Sequence, residues 1–289
     1  MFKSILLLST FALRAIAMNE TIDGYNFFLW GPKQDQSKSQ YEHDAADVAL
    51  GLLKETLGSE PLPDLPTDNV AAVLKLKQDL GTEKLKQLLE PDTEDADKFW
   101  HDVINKATNK SNPWDSPVSA EAHGVIFLPH LNLTQFAAWY VSKYADEANL
   151  AANPEHYVKE TTQIASGLTS KILEGWGGVT TNFTFPSFGA PDRGKDPFLP
   201  ELEDYPIQQA GDKVLRDGTR FGVLHLALRN IPGERYGQPN DGFEVFSTVW
   251  YPNGADDDHL DHERRHMIIE IVNLTLQAQK DVENGALSS

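Results

Sequence analysis

The 289-residue sequence contains no cysteine. This absence excludes disulfide bonds, thiolate nucleophiles and cysteine-ligated metals, so a catalytic site has to use hydroxyl, imidazole, amino, guanidinium and carboxyl groups. Basic residues are also scarce, since 25 lysines and arginines stand against 43 aspartates and glutamates, for a net charge of −18. Because this charge repels phosphate backbones, nucleic acid is not an expected partner.

Common catalytic motifs are missing as well. The sequence has no Gly-x-Ser-x-Gly elbow, no glycine-rich phosphate loop and no dinucleotide-binding fingerprint. Their absence disfavours the hydrolase, kinase and dehydrogenase classes that depend on them. We expect no organic cofactor.

Long apolar runs are absent too, because no stretch reaches the roughly 20 apolar residues of a membrane-spanning helix. The start of the chain, MFKSILLLSTFALRAIA, combines Lys3, a short apolar run and small residues ending at Ala17. This pattern predicts a signal peptide over residues 1–17, with a buried N-terminal helix as the alternative.

Five Asn-x-Ser/Thr sequons favour the signal peptide over the buried helix. They are Asn19, Asn109, Asn132, Asn182 and Asn273. We therefore expect a glycoprotein without a membrane span, secreted or held in the lumen of the secretory pathway.

Residues 18–115 are expected to form a helical N-terminal region. Apolar residues recur there at helical spacing, and the predicted helices stop at Gly58, Gly81 and Pro91. A proline-rich connector separates the first helix from the second.

Residues 116–289 are expected to form an α+β domain with an antiparallel sheet of about four strands. The predicted strands are 123–128, 177–185, 221–229 and 242–251, which are rich in β-branched and aromatic residues. The predicted helices are 134–148, 155–175 and 256–283. The segment 185–218 is interpreted as a packed cover, because long loops in compact domains are often lids or binding loops.

The stretch DHLDHERRH, residues 258–266, raises the question of a metal site. On a helix, His259, His262 and His266 lie opposite an apolar stripe, on the side of sequon Asn273. A glycan there would need solvent, so we expect a solvated face and no catalytic metal, since two arginines follow Glu263. A subunit contact and adventitious metal binding are the alternatives.

The candidate active site comes from strand alternation. In GVLHLALR, His225 and Arg229 share one face while the leucines share the other, which should meet the helices. If the 185–218 cover closes the first face, a histidine, an arginine and aromatic walls suit proton transfer and oxyanion stabilisation. A structural Arg–Glu or His–Glu pair across strands is the alternative. The candidate catalytic residues are His225, Arg229 and Arg264, and the candidate substrate-binding residues are Glu244, Phe246, Thr248 and Trp250.

Arg264 joins this set because it falls near the apolar stripe of the last helix. A guanidinium there needs a carboxylate or an anionic ligand. The alternative is that the aliphatic part of the Arg264 side chain packs along the edge of the core while its guanidinium reaches solvent.

The second half of the chain resembles a group of small secreted fungal proteins encoded with secondary-metabolite pathways. The resemblance lies in LAANPEHYVKET, FPSFGAPDRGKDPFLPELEDYPIQQAG, LRDGTRFGVLHLALRN and HERRHMIIEIVN, and covers roughly residues 120–280. That group includes the hetero-Diels–Alderases of tropolonic sesquiterpenoid biosynthesis.

The resemblance implies a cofactor-free enzyme that helps a hydroxymethyl tropolone lose water to a quinone methide and holds it against a macrocyclic terpene. Such a lyase or cyclase needs an acid, a cation or donor for the tropolonate oxygen, and an apolar cavity. The alternatives are a non-catalytic secreted protein that binds a hydrophobic ligand or partner, and a histidine-dependent metal protein. The sequence does not distinguish a monomer from a homodimer.

Overall fold

The structure, a computed structural model, describes residues 17–32, 36–60, 62–165 and 167–287. The predicted signal peptide lies outside them except for Ala17. The helices are α1 (Lys38–Leu57), α2 (Asn69–Leu88), α3 (Glu90–Lys106), α4 (Leu133–Tyr140), α5 (Lys143–Ala152) and α6 (Asp257–Glu283). The strands are β1 (Met18–Ile22), β2 (Tyr25–Trp30), β3 (Val118–Ile126), β4 (His156–Ile164), β5 (Gly167–Trp176), β6 (Val179–Phe188), β7 (Ile207–Leu215), β8 (Arg220–Ile231) and β9 (Gly242–Tyr251).

The strands form one antiparallel sheet in the order β1-β2-β3-β9-β8-β7-β6-β5-β4. The α+β class is therefore confirmed, but the expected number of strands is wrong, because the described residues contain nine. The four predicted strands correspond to β3, β6, β8 and β9. We call the face of the sheet that packs on α6 the inner face, and the opposite face the outer face.

The segment 155–175 is not the predicted helix but the hairpin of β4 and β5. The last five residues of β5 are buried on both faces. Ile172 faces a cavity on the inner side, whereas Leu173 packs with apolar residues of α1 and α2. Burial on both faces removes the alternation of apolar and polar residues that identifies a strand.

The N-terminal region is not helical throughout, since residues 18–30 form β1 and β2 at one edge of the sheet. The predicted helix ends are confirmed at two glycines. Gly58 follows α1 with a φ of 59°, and Gly81 interrupts α2 with a φ of 71°. Glycine adopts both values without the steric penalty of other residues.

The helices and the sheet share a core. Trp100 of α3 is completely buried and stacks on Tyr251 of β9, with ring centroids 5.1 Å apart. Its ring also lies 4.4 Å from that of Phe221, and its indole N–H donates to Thr181. The expected boundary between residues 115 and 116 crosses this core.

Helix α6 lies between the inner face and helices α1 and α5. The predicted apolar stripe is buried, from Leu260 to Ala278. The predicted solvated face is wrong for His259 and His266, which are also buried. The two histidines are buried by tertiary packing, because α1 and α5 cover the side of α6 that faces away from the sheet.

The two ends of the segment 185–218 belong to β6 and β7, and the connection between them covers the outer face. Tyr205 packs on Ala227 and Phe246 there, and the ring of Phe198 lies 5.2 Å from that of Trp250. The predicted cover is confirmed for this connection. Among the described residues, no helix is long and apolar enough to cross a membrane.

Candidate functional site in the inner cavity

A cavity that is partly open to solvent lies between the inner face and α6. The space free of protein atoms there, with the open part included, is about 1080 Å³. The leucines of β8 contribute Leu224 and Leu226 to its wall, on the side predicted to meet the helices. Much of the remaining wall is apolar, including Phe136, Phe185, Val245, Met267 and Ile271. A cavity with such a wall suits an apolar ligand.

Buried ionisable side chains line one end of the cavity. The ammonium of Lys213 lies 3.4 Å from a carboxylate oxygen of Glu174 and 3.8 Å from one of Glu263. The same ammonium lies 4.2 Å from the ring centroid of Trp176. These contacts hold a cation at the cavity wall, where a low dielectric strengthens its interactions.

Glu263 of α6 is 2% exposed. Burial raises the pKa of its carboxyl to about 7, and the charge of Lys213 opposes the shift. A carboxyl group with this pKa can give and take a proton near neutral pH.

A second cluster of four side chains lies at the same end. The Nε2 atoms of His156 and His266 are 3.0 Å apart. The Nε2 of His156 also lies 3.6 Å from Oε2 of Glu174 and 3.2 Å from Oε1 of Glu270. All four ligand atoms lie within 4.8 Å of one another, so these residues could hold a metal ion.

Both imidazoles of this cluster are neutral near pH 7, because burial lowers the pKa of His156 to about 4 and that of His266 to about 3. Their outer nitrogens are engaged elsewhere. Nδ1 of His156 lies 2.9 Å from the carbonyl of Asn149, and Nδ1 of His266 lies 3.2 Å from the amide of Asn153. The side chain of Lys77 on α2 donates hydrogen bonds to backbone carbonyls between Leu150 and His156.

The structure does not bring the three predicted catalytic residues together. His225 and Arg229 lie on the outer face of the sheet, whereas Arg264 lies on α6, where it donates to the carbonyl of Ser119. The inner cavity contains a separate cluster of ionisable groups that the predicted site did not include.

Arg229 forms a cross-strand pair, which was the structural alternative for this face. Its Nε donates to Glu244 at 2.5 Å, and its guanidinium lies 4.7 Å from the ring centroid of Tyr205. Nδ1 of His123 lies 2.9 Å from the other oxygen of Glu244. These partners lower the pKa of Glu244 against the effect of its burial, which fits a structural ion pair.

His225 is 1% exposed and lies opposite Thr248 on β9. Neither ring nitrogen has a hydrogen-bond partner within the described part of the chain, and burial, with Arg193 nearby, lowers its pKa to about 4. The predicted substrate-binding residues Phe246, Thr248 and Trp250 share this covered face. Phe246 stacks on His123, with centroids 4.0 Å apart.

The other two histidines of the 258–266 stretch are not part of the four-residue cluster. The indole N–H of Trp176 donates to Nε2 of His259 at 2.9 Å. His262 is exposed, with Nδ1 2.8 Å from the carbonyl of Asp258.

The candidate residues predicted from the sequence do not include Glu174, Lys213, Glu263 and Glu270 of the cavity wall, or His156 next to it. One signal was present, because His266 and Glu270 are four residues apart and therefore neighbours on a helix. His156 and Glu174 gave no signal, since their hairpin was interpreted as a helix.

The sequon asparagines differ in exposure. Asn19 and Asn132 are exposed, whereas Asn109, Asn182 and Asn273 are partly buried. Nδ2 of Asn273 donates to Glu42 and to the carbonyl of Ala152. A glycan attached to this nitrogen would disrupt both bonds.

No family model matches the chain, and no curated protein matches it. Among solved structures, the chain is similar to the crystal structure of Ara h 8.0201. The identity is 12% and the TM-score 0.34, over 56% of this chain and 98% of that one. A likeness of this extent carries no inference about function.

Proposed function

We propose that the protein is a secreted lyase or cyclase that binds an apolar small molecule in the inner cavity. The observation that supports this is the apolar wall that ends at buried Lys213 and Glu263. An apolar molecule would be oriented by the wall, and its polar end would meet these two residues.

The roles of the two residues follow from their chemistry. Glu263 would donate a proton to a departing hydroxyl group, since its pKa lies near 7. Lys213 would stabilise an oxygen that becomes anionic during the reaction. Both groups are placed by ordered elements, β7 and α6.

The resemblance to hetero-Diels–Alderases gives this proposal a specific reaction. A hydroxymethyl tropolone would lose its side-chain hydroxyl as water with the proton of Glu263. Glu263 would recover a proton from the ring hydroxyl as the quinone methide forms. Cycloaddition to a terpene alkene then loses no atoms, so the product has the summed mass of both substrates minus one water.

The experiment incubates the protein with a hydroxymethyl tropolone and a macrocyclic terpene alkene and follows the adduct by chiral chromatography and mass spectrometry. We expect one stereoisomer, formed faster than in buffer. Lys213→Met and Glu263→Gln should each slow turnover by about 10² per folded molecule. Arg229→Ala on the outer face should not.

The same cavity also favours a second candidate, a secreted protein that binds a hydrophobic ligand without catalysis. Displacement of an apolar fluorescent probe by either substrate, with adduct formation only at the buffer rate, would support this candidate and overturn the catalytic proposal. Equal turnover in wild type and both cavity variants would move the chemistry away from Lys213 and Glu263.

A further inference from the structure

We propose that His156, Glu174, His266 and Glu270 form a binding site for a divalent first-row transition-metal ion such as Zn²⁺. The positions of their ligand atoms support this inference, which does not depend on the proposed lyase or cyclase activity.

The spacing of the ligand atoms fits a small ion. Metal–ligand bonds of about 2.0–2.1 Å in a tetrahedral site separate neighbouring ligand atoms by about 3.4 Å. The two Nε2 atoms lie 3.0 Å apart, and Nε2 of His156 lies 3.2 Å and 3.6 Å from oxygens of Glu270 and Glu174. Nε2 of His266 lies 3.9 Å from Oε2 of Glu270. These distances lie on both sides of the tetrahedral value.

The orientation of His156 also fits metal binding. A backbone carbonyl can only accept, so the contact with Asn149 places the proton of His156 on Nδ1. Its Nε2 then carries a lone pair that points into the cluster. A histidine whose outer nitrogen donates to a carbonyl is the usual arrangement around a metal ion.

The ligands come from ordered elements and carry a suitable charge. His156 begins β4, Glu174 lies in β5, and His266 and Glu270 are one turn apart on α6. The Nδ2 of Asn153 can only donate, so Nδ1 of His266 accepts, and the proton of neutral His266 lies on Nε2, which donates to Nε2 of His156. A metal ion would replace this hydrogen bond, and Nε2 of His266 would lose its proton on binding. Two imidazoles and two carboxylates then supply N and O ligand atoms and two negative charges, which balance a divalent cation.

Three of the four ligands, Glu174, His266 and Glu270, also line the inner cavity. Glu270 is the most accessible of them, with 27% of its side chain exposed. An ion can therefore enter through the cavity, and once bound it would face the cavity interior. The proposal replaces the expectation, drawn from the sequence, that the protein has no metal ligands.

The test uses the full-length mature protein purified without a histidine tag. Metal content is measured by mass spectrometry, and after treatment with a chelator Zn²⁺ is titrated by calorimetry. We expect about one Zn²⁺ per chain, and a visible absorption spectrum typical of tetrahedral coordination when Co²⁺ is added instead.

Two variants remove ligands and one serves as the control. Glu270→Gln keeps the size of the side chain and should weaken Zn²⁺ binding by about tenfold or more, as should His266→Asn. The exposed His262→Asn on the same helix should bind Zn²⁺ like the wild type. Circular dichroism and melting temperature verify that each variant is folded.

Three results would overturn the proposal. They are no Zn²⁺ binding by the folded wild type, undiminished binding by folded Glu270→Gln and His266→Asn, or loss of binding in His262→Asn alone, which would indicate an adventitious surface site. If Zn²⁺ binds as expected but no adduct forms, the metal site stands and the proposed reaction fails.

Discussion

The ammonium of Lys77 donates to the backbone carbonyl of His156 at 2.8 Å. The same ammonium lies 2.7 Å, 3.0 Å and 2.9 Å from the carbonyls of Leu150, Asn153 and Pro154. Lys77 belongs to α2, so a helix of the N-terminal region positions His156, one of the four clustered residues His156, Glu174, His266 and Glu270. A single buried side chain connects the end of α5 to the start of β4.

Replacing Lys77 with methionine should destabilise the protein by about 2–4 kcal/mol, because several buried carbonyls lose their shared hydrogen-bond donor at once. Burial lowers the pKa of Lys77 to about 7, so the side chain is only partly charged at neutral pH. Urea unfolding measures the loss. The matched control is Lys75→Met, since Lys75 lies half-exposed on the same helix and pairs with Asp79 one turn away. That change should cost less than about 0.5 kcal/mol. Equal losses in the two variants would contradict a special role for Lys77.

Arg229→Ala should reduce stability by about 1–3 kcal/mol, because it leaves the buried carboxylate of Glu244 without its guanidinium partner. Binding of an apolar probe in the inner cavity should not change. Melting temperature and probe titration on the same samples check both statements, with exposed Arg235→Ala as the control. A loss of probe binding without a loss of stability would return the outer face to the candidate sites.

His259 predicts a pH dependence of stability. Burial lowers its pKa to about 4, mainly against the charge of Asp256, whereas an unfolded histidine titrates near 6.5. Between these values the unfolded chain takes up a proton that the folded protein excludes. The contribution of His259 to stability is therefore intact above about pH 6.5 and is lost as the pH falls toward 4.

His259→Gln removes this titration while its amide oxygen can still accept from Trp176. The difference in unfolding free energy between pH 7 and pH 5 should shrink by about 2 kcal/mol relative to the wild type. His262→Gln, at an exposed position one turn later, should leave that difference as it is. An identical pH dependence in all three proteins would show that His259 is not excluded from protonation in the folded state.

Sequon use should follow the exposure of the asparagine side chains. On secreted protein, we expect glycans at Asn19 and Asn132 and none at Asn273, whose Nδ2 bonds Glu42 and Ala152 inside the fold. Peptide mapping after glycan removal in heavy-oxygen water reads each site separately. A glycosylated Asn273 in folded protein would show that the contact between α1, α5 and α6 differs from the one described.

The local sequence was sufficient where one element decides its own structure. Gly58 and Gly81 interrupt helices because their backbone angles favour glycine, and Asp256 caps α6 by accepting from the backbone of His259. Alternation in β8 and β9 correctly separated the face of Leu226 from the face of His225, because side chains in a strand point to opposite sides.

The same local signals were insufficient where a residue is covered by a distant segment. His266 looked solvated on an isolated helix, and it is buried because α1 and α5 pack over α6. The hairpin of β4 and β5 looked helical, since Leu173 and Ile172 are both buried and the period of two disappears.

The sequence by itself therefore determined the α+β class, the last helix with its apolar stripe, and the chemistry available to a chain without cysteine. Only the tertiary structure decided where that chemistry is concentrated. His156, Glu174 and His266 are separated by up to 110 residues along the chain, and no periodicity relates them. Their proximity depends on the pairing of β4 with β5 and on the packing of α6 across the inner face, because contacts between distant segments are specified by the whole core and not by any one stretch of it.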